Sequence, residues 1–198
     1  MRILTAFKTR NSVEALSQMA LYDLSSTLRS KAISILSDFN HESVFETILQ
    51  ASADPTREVR AAAARALSKL TIDRADAWRR IFESGEKGRM LQAARAATES
   101  GIVKMSFDRL VHPDEKYSHE AFVLMALLIK AGETEEIFQT LEKNKNINVG
   151  RAILHVFKIT KDQETLEKLD SLVEEKKMPP ELQKEAGKLI EEIGLVTA

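Results

Sequence analysis

Apolar residues in this chain recur at helical spacing, and one small residue returns six times in the same slot: Ala32, Ala63, Ala94, Ala121, Ala152 and Ala186. The gaps between them are 31, 31, 27, 31 and 34 residues. Four positions earlier stand Leu28, Val59, Met90, Tyr117, Asn148 and Leu182; four later stand Leu36, Leu67, Thr98, Met125, Val156 and Ile190. A small residue flanked at i−4 and i+4 marks a helix face that another helix approaches closely. A period of this length predicts stacked helical hairpins, each supported by its neighbours.

Each unit reads as a helix A, a turn and a helix B that carries the alanine. The predicted units are 11–39, 41–70, 73–101, 102–132, 133–160 and 162–194, together one repeat domain over 1–198, with 1–10 as an N-terminal cap. Asn11 and Glu14 have the spacing of a capping box at the first helix. Asp54-Pro55, His112-Pro113-Asp114, Asn144-Lys145-Asn146 and Met178-Pro179-Pro180 supply breaks between A and B helices. Gly101 suits a left-handed stop after the third B helix. Trp78, with Ile81 and Phe82, lies in an apolar A-helix stripe and is expected in the core.

Composition narrows the class. Seven glycines and four prolines in 198 residues are too few for an all-β or disordered chain. With no cysteine there is neither a disulfide framework nor a thiolate metal site. The longest apolar run, Ala121 to Ile129, falls short of the roughly 20 residues that span a bilayer. The Met-Arg-Ile-Leu-Thr start lacks the apolar core of a signal peptide, so the expected location is cytoplasmic. Net charge is −1, but residues 54–95 hold ten Lys/Arg against six Asp/Glu, and 161–198 hold six against ten. The middle is therefore basic and the C-terminal end acidic.

Ala53-Asp54-Pro55-Thr56-Arg57-Glu58-Val59-Arg60-Ala61-Ala62-Ala63-Ala64-Arg65-Ala66-Leu67 resembles a HEAT repeat: an Asp in the turn, then Val-Arg, then Ala and Leu down helix B. Unit 1 repeats it more weakly as Asp23, Leu28-Arg29, Ala32 and Leu36. The resemblance implies an all-α, right-handed α-α superhelix, a solenoid of about six short HEAT-like hairpins with B helices lining a concave surface. It also implies an Asp–Arg contact tying a turn to the start of helix B, in units 1 and 2 only. It says little about function, because solenoids are mostly binding surfaces.

Three features carry candidate chemistry. Ser118-His119-Glu120-Ala121 resembles a metal-binding dyad of deoxyhypusine hydroxylase, a HEAT-like di-iron enzyme. Such a site needs several dyads converging, and the equivalent slots of the other units hold no His; His41-Glu42 opens an A helix instead. No metal, cofactor or catalytic residue is assigned.

The basic segment 57–95 (Arg57, Arg60, Arg65, Lys69, Arg74, Arg79, Arg80, Lys87, Arg89 and Arg95) is similar in character to the nucleic-acid cradle of HEAT-like DNA glycosylases. The six acids of residues 54–95 dilute its field. Finally, Val123, Ala126, Leu127, Leu154 and Phe157 put apolar side chains in slots that units 1 and 2 fill with Ser34, Ser37, Arg65, Ser68 and Lys69.

The resulting expectation is a non-catalytic scaffold that holds another protein. Its contacts are Val123, Leu127, Leu154 and Phe157, with Arg65 and Lys69 as a charged flank. Nucleic-acid binding through 57–95 is the alternative.

Overall fold

Residues 9–39 and 42–196 are described by a computed structural model. Among them are twelve helices and no strand: α1 Arg10–Tyr22, α2 Ser26–Leu36, α3 Glu42–Ala51, α4 Arg57–Lys69, α5 Arg74–Glu83, α6 Lys87–Glu99, α7 Ile102–Arg109, α8 Glu115–Ala131, α9 Glu135–Lys143, α10 Ile147–Thr160, α11 Gln163–Glu174 and α12 Pro180–Val196. Helix pairs fall where the period placed them. The all-helical repeat pattern is consistent with an α-solenoid. The expected cap over 1–8 and the His41 dyad lie outside the described residues. No described helix is long and apolar enough to cross a membrane.

The chain groups into two compact units, 1–77 with 95–102, and 78–94 with 103–198. In the first, α1 packs on α2 and α3, and α4 on α2 and α3, so A meets A and B meets B between consecutive hairpins. Its core is formed by Val13, Leu16, Ala32, Ile33, Leu36, Val44, Ile48, Val59, Ala63 and Ala66. In the second, α10 packs against α8, α9 and α12, and α11 against α12.

The helix ends follow local chemistry. Thr9, not Asn11, caps α1, its hydroxyl accepting from the Ser12 N–H; both are good capping residues, and the chain enters the helix two residues earlier. Asp114, Asn146 and Asp162 cap α8, α10 and α11. Gly101 takes the expected left-handed conformation at φ 79°.

Five of the six recurrent alanines are completely buried, whereas Ala152 is only half-buried. In α10 the closest approach falls instead on Gly150, where a Cβ would press into Leu182, 2.9 Å from Cδ2 and 3.2 Å from Cγ. Gly150→Ala is therefore expected to cost about 1–3 kcal/mol in overpacking, offset by about 1 kcal/mol of helix propensity. Urea titration of Gly150→Ala, Leu182→Ala and the double variant is expected to show a double loss smaller than the sum of the single ones.

The two outer repeat pairs are also stitched by polar contacts that keep the alanine period. Lys69 pairs with Asp38, 31 residues away. Arg151 meets Glu185 at 2.9 Å and Lys158 meets Glu192 at 2.7 Å, both 34 residues apart. These spacings equal the gaps from Ala32 to Ala63 and from Ala152 to Ala186.

Candidate functional site

The expected Asp–Arg contact forms within both units, but through the Asp backbone carbonyl: Arg29 to Asp23 and Arg60 to Asp54, each at 2.7 Å. The fork of Arg29 takes the carboxylate of Asp54 in the next repeat. The two bonds measure 2.8 Å from Nε and 3.1 Å from Nη2. Nη2 also reaches Thr56 Oγ1 at 3.1 Å. A six-residue step along the chain brings the guanidinium to the turn's backbone, leaving its planar edge facing the next turn.

The Asp54 and Arg29 side chains are both largely buried. Burial pushes the Asp54 carboxyl up, but the bond from Arg29 and that from the Thr56 N–H outweigh it and hold the carboxyl below its ordinary value. The bond to Asp54 in turn raises the Arg29 guanidinium, against a smaller effect of burial.

On the B helices, the expected apolar contact strip is largely interior. Leu127 and Phe157 are completely buried and Leu154 is buried. Phe157 stacks at 5.7 Å on Phe138 of α9, its own hairpin partner. The slots are apolar because α10 is covered by α8, α9 and α12, whereas the serines and Arg65 in the matching slots of α2 and α4 meet solvent. Only Val123 of the four is half-buried.

Arg65 and Lys69 are exposed on α4. Lys69 is engaged by Asp38, while Arg65 has no ion pair among the described residues. Elsewhere in the basic segment, Arg60 and Arg74 donate to backbone carbonyls, and Arg79 lies 3.9 Å from Glu83. Trp78 is in the core, as expected. The His119-Glu120 dyad divides: His119 is exposed, while Glu120 is buried with Arg109 at 3.7 Å.

A family model of HEAT repeats matches residues 13–98. Residues 13–98 carry HEAT repeats. No curated protein matches the chain. Among solved structures it is similar to a crystal structure of an engineered protein, 19% identical over 93% of this chain and 97% of that one, with a TM-score of 0.34. The matched HEAT repeats span α1 to α6 and include both Asp–Arg turns.

Sequence reasoning missed one group beside Val123. On α8, His119, Phe122, Val123, Ala126 and Lys130 form the less buried stripe, at i, i+3, i+4, i+7 and i+11. On α10, Arg151, His155, Lys158 and Ile159 form the corresponding exposed stripe. The Phe122 and His155 rings are 6.0 Å apart, joining the two stripes. Val123 pointed toward this side; Phe122, next to the buried Ala121, reads as core from periodicity alone.

Proposed function

We propose that this HEAT-repeat protein is a non-catalytic scaffold that holds a partner protein on the outward stripes of α8 and α10. HEAT repeats commonly serve as interaction surfaces, and one observation singles out this pair of helices. Half-buried Phe122, Val123 and Ala126 lie beside exposed His155 and Ile159, and the charges bordering them on α10 are engaged by Glu185 and Glu192. Aromatic and aliphatic groups ringed by satisfied charges suit a contact whose centre is apolar and whose rim is polar. Exposed Arg65, on α4, adds positive charge that favours encounter with an acidic partner.

The test is affinity capture from a cytoplasmic extract with wild type beside Phe122→Asp/Val123→Asp, followed by rebinding of the purified retained protein. The variant is expected to keep its helical circular dichroism and to weaken partner binding by at least about tenfold, since aromatic anchors at interface centres carry about 2 kcal/mol or more. Equal binding by a folded variant would sink the assignment of this surface. Nucleic acid in the eluate, released steeply as salt rises, would move the function to the basic segment.

A further inference from the structure

Arg29 and Arg60 occupy the same place in consecutive HEAT repeats and are tethered alike. Arg29 Nη1 donates to the carbonyls of Asp23 at 2.7 Å and Leu24 at 3.4 Å. Arg60 Nη1 donates to those of Asp54 at 2.7 Å and Pro55 at 2.8 Å. In the first repeat the remaining edge of the guanidinium, Nε and Nη2, grips Asp54, with Thr56 alongside. In the second repeat the residue 31 positions beyond Asp54 is Gly85, which has no carboxylate. Arg60 is exposed, and among the described residues its guanidinium meets these two carbonyls and no carboxylate. Arg57, three residues earlier on the same helix, is likewise exposed with no ion pair among them.

We propose that the open edge of Arg60 docks a carboxylate side chain of a partner protein, an Asp-x-Thr or similar acidic turn, with Arg57 beside it. The internal template argues for this occupant. A guanidinium held by two carbonyls presents a planar two-donor fork, and in repeat 1 that fork takes a carboxylate with a neighbouring hydroxyl. The tether means that little side-chain freedom is lost when an outside carboxylate docks. Local charge agrees, since residues 54–95 carry four more cations than acids. The site lies on α4 and does not depend on the α8–α10 surface.

The experiment follows the arginine Nε–H resonances of the full chain by NMR. The titrant is a blocked peptide with the sequence Ala-Asp-Pro-Thr, the chain's own turn at 53–56. The expected result is a saturable shift at Arg60 in the millimolar range, with Arg29 unmoved because its fork is filled. Replacing the peptide's Asp by Asn is expected to weaken binding about tenfold or more. Arg60→Lys keeps the charge but not the fork; followed at the backbone amides of the first turn of α4, it is expected to lose a similar factor.

Three outcomes would overturn the proposal. One is an Arg60 resonance that does not move, or moves equally with the Asn peptide. Another is saturation by inorganic phosphate but not by the peptide. The last is undiminished peptide binding by Arg60→Lys.

Discussion

Phe157→Asp is expected to unfold the helices around α10 rather than to leave a folded protein with a damaged surface. Phe157 is completely buried, its ring 5.7 Å from that of Phe138, and α10 is covered by α8, α9 and α12. Removing a buried Phe side chain costs about 3–5 kcal/mol before any charge is introduced. Burying a carboxylate in that apolar space adds several kcal/mol more. Against a typical total of about 5–15 kcal/mol, this exceeds what one packed region can lose. Leu154→Asp is expected to act in the same direction.

The measurement is far-UV circular dichroism with limited proteolysis. Wild type resists cleavage, whereas Phe157→Asp loses helicity and is cut within α8–α12. Coupling between repeats is to nearest neighbours, so α1–α4 are expected to survive in the digest. Phe122→Asp/Val123→Asp, on the solvent side of α8, is the control that stays helical. A fully helical, protease-resistant Phe157→Asp would show that its side chain meets solvent and would return Leu154 and Phe157 to the list of contact residues.

The period was the most legible feature of the chain, because close helix approach permits only small side chains. The ion pairs at 31 and 34 residues keep the alanine register although they use different residues. What the period does not encode is which neighbour a given face meets. Leu154 and Phe157 sit where serines sit in earlier repeats, and only the packing of α8, α9 and α12 on α10 turns those positions inward. Gly150 was invisible for a related reason: its neighbour Leu182 is 32 residues away, two positions out of register with the alanines. The Asp–Arg turns were recognised, but their topology was not. A separation of six residues within a repeat hides a bond of 25 residues between repeats, because the carbonyl of Asp54 goes to its own Arg60 while its carboxylate goes to Arg29 of the preceding repeat.

Asp54→Ala is expected to destabilise the first unit by about 1.5–3 kcal/mol, the range for hydrogen bonds to a charged group. The change removes the acceptor of two bonds from Arg29 and one, at 2.7 Å, from the Thr56 N–H. Asp54→Asn keeps the shape and part of the bonding, and is expected to fall between wild type and Ala.

The pH dependence separates charge from packing. The folded carboxyl titrates below its unfolded value, so its contribution is fully present above the ordinary carboxylate pKa of about 3.9. It is lost as pH falls through the lower folded value. Urea titrations of wild type and Asp54→Asn should therefore differ by a constant amount near neutrality and converge in acid. Arg29 stays charged throughout this range, so the convergence reports Asp54 alone. A gap that persists in acid would mean that the Asn variant loses packing rather than a charged acceptor. The tie between the first two repeats would then rest on the backbone carbonyls that Arg29 also holds, and the carboxylate would be a passenger.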